Sequence, residues 1–170
     1  MCYIMNINGK TFIIRKILPK DNRHLAELIR YNLEKHGLDI PGTAYFDTGL
    51  DTLSEVYRDS VTSGYFVLTD IEDNVVGGIG FADYPHIEGC AELQKLYLAD
   101  SVKGFGLGYI LIRYTEERMA EAGFSSSYLE THKNLEAAIH IYEKCGYERI
   151  ACPQKAVHSA MTHFYLKRLL

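Results

Sequence analysis

A glycine-rich segment near the middle of the chain, KGFGLG, has the residue types of a phosphate-binding turn. Its glycines, Gly104, Gly106 and Gly108, lie between a β-like run and an amphipathic helical run. Alternate glycines leave backbone N–H groups unobstructed, and the positive end of a helix dipole strengthens their attraction for an anion. The alternative interpretation is a tight strand-to-helix turn that binds no ligand, because glycine also suits such a turn.

The spacing of these glycines excludes two phosphate-binding motifs. The sequence contains no GxxxxGK[ST], so it lacks the lysine and the magnesium-binding hydroxyl of a P-loop. It contains no GxGxxG, because the position three residues after Gly106 is Tyr109. The remaining pattern is K-G-x-G-x-G, in which the backbone N–H groups of residues 104 to 109 would hold a pyrophosphate and Lys103 would add charge.

Together with its flanks, this segment resembles the acetyl-coenzyme-A-binding region of GNAT-superfamily N-acetyltransferases. The family pattern is Arg/Gln-x-x-Gly-x-Gly/Ala, and this chain has Lys103 in place of the usual Arg or Gln, which keeps a donor and a charge. The preceding run AELQKLYL is similar to the fourth strand of the family. The later run KNLEAAIHIYEKCGY is similar to its second signature, a helix that starts near Asn134 and carries a tyrosine. The close resemblance covers about residues 91 to 151.

The resemblance implies that acetyl-CoA is the co-substrate, that no metal takes part, and that the acetyl group moves directly to a primary amine of a small molecule or a protein. The splayed end of the AELQKLYL strand would hydrogen-bond the pantetheine arm, and a backbone N–H near Leu98 would stabilise the oxyanion. The residues assigned to cofactor binding are Leu96, Tyr97, Leu98, Lys103, Gly104, Phe105, Gly106, Leu107, Gly108, Tyr109 and Asn134.

Two residues are candidates for the proton transfers of this reaction. Tyr142 matches the tyrosine with which the family protonates the departing thiolate, whereas its position on an apolar helix face would also suit a core aromatic. Glu92 lies in the strand before the turn, at a position that some family members use for the general base. Burial would raise its pKa towards a useful value. A salt bridge, or a contact that only holds the substrate's ammonium group, remains the alternative for Glu92.

The acceptor side is less defined by the sequence. The segment LDIPGTAYFDTGL has no clean periodicity and is interpreted first as a connecting loop. It is long for a loop in a compact domain, which makes a substrate-lining role the alternative. Its neighbourhood contains Asp39, Tyr45, Asp47 and Asp51, residue types that suit a cationic amine and equally suit a solvated loop.

Hydrophobic periodicity predicts one α/β domain over residues 1–170, with a mixed sheet of about six to seven strands flanked by about four helices, as in a GNAT-like fold. The strand at 91–98 and the strand at 127–131 are joined by a helix and are expected to be parallel. The predicted strands are 11–18, 65–69, 75–81, 91–98, 127–131, 147–151 and 160–166. The predicted helices start near 21, 50, 107 and 134 and end near 37, 62, 123 and 146.

Composition narrows the class of protein further. The net charge of −4 does not favour a nucleic-acid-binding surface, and no apolar run approaches the length of a membrane span. The four cysteines have no CxxC spacing, and the N-terminus lacks the features of a signal peptide, so a cytoplasmic protein with reduced thiols is expected. The final run, AMTHFYLKRLL, is apolar enough to pair with another chain, which leaves a homodimer open.

Two functions from different classes fit these observations. The first is an acetyl-CoA-dependent N-acetyltransferase, and the second is a non-catalytic acyl-CoA-sensing module. The presence of both Glu92 and Tyr142 favours the enzyme.

Overall fold

A computed structural model describes residues 2–58, 60–153 and 158–169. The strands are β1 (Tyr3–Ile7), β2 (Lys10–Lys16), β3 (Ser63–Asp70), β4 (Val75–Asp83), β5 (Cys90–Leu98), β6 (Ser126–Thr131), β7 (Glu148–Ile150) and β8 (His163–Arg168). The helices are α1 (Asn22–Lys35), α2 (Leu53–Val56), α3 (Leu107–Glu121) and α4 (Glu136–Lys144). The loop predicted between the last two strands lies partly outside the described residues.

The eight described strands form one mixed sheet in the order β1-β2-β3-β4-β5-β6-β8-β7. Strands β5 and β6 run parallel, as predicted, and the other neighbours are antiparallel. Apolar clusters cover both faces. One contains Leu25, Ile29 and Leu33 of α1, and the other contains Leu107 and Leu111 of α3. The sheet is therefore buried between α1 with α2 on one face and α3 with α4 on the other.

The β5–β6 pair opens along its length. In the described part of the chain, their paired residues are only Cys90–Glu92 on β5 and Ser126–Tyr128 on β6. On its other edge, β5 stays paired with β4 as far as Leu98. The backbone of the second half of β5 therefore faces an opening, and the sheet is split at this point.

A β-bulge in β5 coincides with this split. The β4–β5 register shifts between Gly78 and Gly80, and Lys95 has a φ of 50°, which is uncommon for a residue with a side chain. The ring of Tyr65 lies over the two glycines, and its hydroxyl donates to the Lys95 carbonyl at 2.8 Å. A Cβ atom at Gly78 would lie 2.7 Å from that ring, and one at Gly80 would lie 2.5 Å from it. The glycines thus admit the tyrosine that holds the bulge.

The structure corrects three predictions. The helix predicted over 50–62 is a 3-10 turn followed by the single α-helical turn of α2. Val56 and Val61, whose helical spacing contributed to this prediction, are 55% and 86% exposed and so do not form an apolar face against the core. The predicted strand count omitted β1, which forms a two-residue hairpin with β2 through Asn8-Gly9. Both turn residues have positive φ, as such hairpins require, so the Asn-Gly signal was present in the sequence.

The third correction concerns the final strand. β8 is paired with β6 along its full length and with β7 at Phe164–Leu166. Its central residues therefore have neighbours on both sides, and the strand does not offer a free edge to another chain. Separately, none of the helices in the described ranges is both long and apolar enough to cross a membrane.

We expect Gly78→Ala to lower the free energy of unfolding by about 1–3 kcal/mol, because the added methyl group overpacks the site of the Tyr65 ring. Urea denaturation measures this loss. The control is the same substitution in a Tyr65→Leu background, where the two nearest contacts of the new methyl group are removed and only the flexible end of Leu25, at 3.1 Å, remains. The further loss should then fall below about 1 kcal/mol. Equal losses in the two backgrounds would contradict the role given to the ring.

Candidate active site

A cleft of about 500 Å³ lies where β5 and β6 diverge. Its walls are formed by the end of α1 and the residues that follow it, the second half of β5, the glycine turn (residues 103–108), α4 and the segment before β8. All the predicted site residues except Phe105 and Asn134 line it. The opening of the sheet therefore brings the two strands and the glycine turn together around one volume.

The glycine turn forms one end of the cleft and leads directly into α3. Gly104 and Gly106 have φ values of 84° and 71°, and a Cβ atom at either position would have no neighbour within 4 Å. Within the described ranges, the backbone N–H groups of residues 104 to 109 have no hydrogen-bond acceptor. Because these donors surround a helix N-terminus, the turn suits an anion such as a pyrophosphate.

Lys103 precedes the turn and is paired with an acidic residue. Its ammonium group lies 2.5 Å from Asp100, which also accepts from Lys35 at 2.8 Å. Two lysines thus share one carboxylate beside the turn, and their hydrogen bonds lower the pKa of Asp100. The local charge is positive, which adds to the attraction for an anion.

The backbone of β5 supplies a further donor to the cleft. The N–H of Ala99 donates to Val76 of β4 at 2.8 Å. Since successive residues of a strand direct their N–H groups to opposite sides, the N–H of Leu98 points away from β4, towards the side from which β6 has diverged. The carbonyl of Leu98 is held by the side chain of Asn32 at 3.3 Å.

Tyr142 reaches the cleft from α4 and depends on a close contact with α3. A Cβ atom at Gly108 would lie 3.0 Å from Ile141, the residue beside Tyr142, so the missing side chain lets α4 approach the start of α3. Burial raises the pKa of the Tyr142 phenol, which therefore remains protonated at neutral pH. Among the described residues its hydroxyl has no hydrogen-bond partner, so it is available to a ligand.

Glu92 is a buried carboxylate of the cleft, with 4% of its surface exposed. Burial, and to a smaller extent the proximity of Glu130, raise the pKa of Glu92 to about 7, against a hydrogen bond from Gln94 at 2.6 Å. Near neutral pH this group can therefore both accept and release a proton.

A network of charged groups forms another part of the cleft wall. The two ring nitrogens of His158 lie 3.0 Å from Asp47 and 3.2 Å from Glu130, and its backbone N–H donates to Glu130 at 2.7 Å. Asp47 is also 2.7 Å from Lys95, the residue of the β-bulge. Burial lowers the pKa of His158, but the hydrogen bonds to Asp47 and Glu130 outweigh it and raise that pKa to about 9. The imidazolium thus joins three separate segments of the chain.

Sequence reasoning missed Gln94, Glu130 and His158. Glu92 and Gln94 are two residues apart in one strand, so their side chains lie on the same face. This spacing could have identified Gln94 from the sequence. Glu130 lies in β6, where a buried carboxylate is unusual, but its partner His158 comes from an aperiodic segment. Contacts between residues this far apart in the chain leave no local pattern.

Several expected residues lie elsewhere. The Phe105 ring packs against Phe12 at 5.7 Å, so only its backbone faces the turn. The α4 helix begins after Leu135, and Asn134 donates its side-chain amide to the His36 carbonyl at 3.0 Å, so it does not cap the helix as predicted. Of the acceptor-loop candidates, Asp51 pairs with Arg30 and Tyr45 donates to Glu34.

Comparisons with known proteins agree with this geometry. The model of the acetyltransferase (GNAT) family matches residues 35–147. The uncharacterized N-acetyltransferase YjgM of Escherichia coli (strain K12) is 35% identical over 147 residues, which cover 85% of this chain and 87% of that protein.

Two solved structures are similar in fold. A GNAT-family acetyltransferase from Staphylococcus aureus Mu50 has a TM-score of 0.82 at 17% identity, with 94% of this chain and 99% of that chain covered. Spermidine N-acetyltransferase from Vibrio cholerae, solved in complex with CoA and spermine, has a TM-score of 0.68 at 18% identity, with 93% and 95% covered. The fold class predicted from the sequence is confirmed.

The raised pKa of His158 makes part of the stability depend on pH. A histidine with a pKa of about 9 in the folded protein and about 6.5 in the unfolded chain stabilises the fold fully below pH 6.5 and loses that contribution as pH rises through 9. We expect His158→Gln to remove about 3 kcal/mol of pH-dependent stability, so the difference from wild type should be large at pH 6 and small at pH 10.

Urea denaturation across this pH range measures the effect. The control is His24→Gln, because His24 is exposed and forms no hydrogen bond or ion pair with the rest of the described chain. A His158→Gln protein whose difference from wild type is the same at pH 6 and pH 10 would contradict the imidazolium assignment.

Proposed function

This chain belongs to the GNAT family of acetyltransferases, and we propose that the cleft between β5 and β6 is the site at which it moves an acetyl group from acetyl-CoA directly to a primary amine. The enzyme is an N-acetyltransferase, the activity for which its curated relatives are named. The observation that carries the proposal is the split in the sheet, because it brings a turn of free N–H groups, a free strand edge and a buried carboxylate around one cleft.

The glycine turn is proposed to hold the pyrophosphate of acetyl-CoA. The unpaired N–H groups of residues 104 to 109 are the donors, and the space above Gly104 and Gly106 lets a phosphate approach the backbone. The free edge of β5 at Leu96, Tyr97 and Leu98 then lies beside the pantetheine arm, whose amides need the same pairing as a neighbouring strand. The comparison with a CoA-bound neighbour supports this assignment.

Glu92 is proposed as the general base. An amine attacks a thioester only when it is neutral, so the ammonium form must first lose a proton. A carboxylate with a pKa of about 7 is ionised in an adequate fraction at neutral pH and is a stronger base than an ordinary glutamate. Glu92 lines the same cleft as Glu130 and the glycine turn, which supports this role.

Leu98 and Tyr142 are proposed to stabilise the charges that develop during the transfer. The carbonyl oxygen of the acetyl group becomes negative as the amine adds, and the N–H of Leu98 is directed into the cleft to receive that charge. The departing sulfur leaves as a thiolate, to which the protonated phenol of Tyr142 can donate. Because burial raises the pKa of this phenol, it holds its proton until the thiolate forms.

The acceptor is proposed to be a primary amine of a small molecule or a protein. The walls at this end carry both signs of charge, since Glu92 and Glu130 lie beside His158 and Lys95. One structure neighbour is a spermidine N-acetyltransferase with spermine bound, which supports testing polyamines among the acceptors.

An assay of thiol release from acetyl-CoA with a panel of amines tests the proposal. We expect wild-type activity to rise with pH through about 7, as Glu92 loses its proton.

Glu92→Gln and Tyr142→Phe should each lower kcat/KM by about 100-fold, the lower end of the usual range for acid–base catalysis. Activity of the double variant equal to that of wild type would rule out both roles. Coenzyme A binding without thiol release for any amine would favour an acyl-CoA-sensing module.

Binding of coenzyme A tests the glycine turn separately. We expect Lys103→Ala to raise the Kd for coenzyme A about tenfold and to reduce its dependence on salt, because one charge–charge contact with the phosphates is lost. Asp100 would retain Lys35 as a partner in this variant. Isothermal titration calorimetry measures the change, and Lys144→Ala, an exposed lysine of α4 that does not line the cleft, is the control. Equal affinities for wild type and Lys103→Ala would remove Lys103 from the phosphate site.

A further inference from the structure

We propose that Gln94 is a positioning residue for Glu92 and that Tyr57 fixes the orientation of Gln94, so that the three side chains act as one hydrogen-bonded relay. This inference rests on the proposed role of Glu92 as general base. The Tyr57 hydroxyl donates to Oε1 of Gln94 at 2.6 Å, and Nε2 of Gln94 donates to Oε2 of Glu92 at 2.6 Å.

The relay joins two parts of the fold that are distant in sequence. Glu92 and Gln94 are two residues apart in β5, so their side chains lie on the same face. Tyr57 directly follows α2, is 3% exposed, and its ring centroid lies 5.3 Å from that of Tyr65. Since Tyr65 holds the bulge at Lys95, the relay and the bulge are supported by the same pair of packed tyrosines.

The chemistry of the three groups permits one orientation of the amide. An ionised carboxylate only accepts hydrogen bonds, and a phenol that keeps its proton donates one. Burial raises the pKa of Tyr57, so its hydroxyl remains a donor. A Gln94 amide turned over would set Oε1 against an oxygen of the ionised carboxylate, so that two acceptors face each other, and would remove the carbonyl acceptor of the Tyr57 O–H. Tyr57 therefore holds Nε2 towards Glu92.

A neutral amide is well suited to position a general base. A lysine or arginine in this place would also orient the carboxylate, but its charge would lower the pKa of Glu92 and weaken it as a base. The amide satisfies one carboxylate oxygen with a single hydrogen bond and leaves the other oxygen available to the ammonium proton of the substrate. Gln94 thus orients Glu92 while leaving its pKa near 7.

Other titratable or charged groups face Glu92 from the elements around it, and all remain in place when the relay is altered. They are Cys90, Lys95, Glu130 and His158, together with the tyrosines Tyr84 and Tyr128. Because the electrostatic effect of these groups on Glu92 stays the same, a change in the titration of Glu92 on substitution of Gln94 or Tyr57 reports on the relay.

The pH profile of kcat/KM, measured with one amine acceptor throughout, tests the relay. Gln94→Leu removes a hydrogen bond that lowers the pKa of Glu92, so the acid limb should move to higher pH by about one unit. Tyr57→Phe should move it in the same direction by less. In the double variant, the Tyr57 substitution should add no further shift, because its effect passes through Gln94.

A second readout does not depend on turnover. The carboxyl carbon-13 shift of Glu92 should titrate at higher pH in both single variants than in wild type. Tyr165→Phe is the matched control, since Tyr165 is a buried tyrosine whose hydroxyl donates to Glu143 at 3.0 Å, outside the relay, and its loss should leave the Glu92 titration unchanged.

The outcomes separate this inference from the function on which it rests. If Glu92→Gln leaves the acid limb of the wild-type profile in place, the base assignment fails and the relay fails with it. If Glu92→Gln removes the limb but neither Gln94→Leu nor Tyr57→Phe moves it or the carbon-13 titration, the enzyme assignment stands and the relay is wrong.

Discussion

The hydrogen bond from Tyr65 to the Lys95 carbonyl is the interaction on which the geometry of the cleft depends. It holds a left-handed residue in the middle of β5, where an ordinary strand would continue its pairing. Beyond the last β5–β6 pair at Glu92, the two strands diverge, and the bulge redirects the backbone on the open side. The glycines of β4 are required because a side chain at Gly78 or Gly80 would occupy the place of the Tyr65 ring.

The hydrogen-bond and ion-pair partners of the carboxylates around the cleft determine which of them can change its protonation state. Asp47 is paired with both His158 and Lys95, and these hydrogen bonds keep its pKa low despite burial. Glu130 accepts from the backbone and ring of His158. Glu92 instead accepts a hydrogen bond from the neutral amide of Gln94, so burial dominates and the pKa of Glu92 rises. Asp47 therefore keeps its charge within its ion pairs, whereas Glu92, the proposed base, can titrate near neutral pH.

The sequence predicted the features that arise from local patterns. The glycine turn, the helices α1 and α3, and the parallel relation of β5 and β6 follow from turn residues, 3.6-residue periodicity and connection rules, and the structure contains them. The predicted 50–62 helix failed because two apolar residues at suitable spacing, Val56 and Val61, are exposed. Asn134 had the residue type of a helix cap, but its amide has a tertiary partner in the His36 carbonyl.

The parts of the site that the sequence did not predict are held together by contacts between residues far apart in the chain. These parts lie at one end of the cleft, and the predicted parts lie at the other. At the cofactor end, residues 96 to 109 are continuous in sequence, and Gly108 brings Tyr142 close through Ile141. At the proposed acceptor end, the segment after α1 and the segment before β8 are joined by the His158–Asp47 pair and by the hydrogen bond from the Ala160 N–H to the Gly42 carbonyl. A short continuous segment can retain a recognisable sequence pattern even when a wall formed by distant segments of the chain changes. The proposed acetyl-CoA site is therefore readable from the sequence, whereas the wall proposed to face the amine is formed by contacts that only the folded chain reveals.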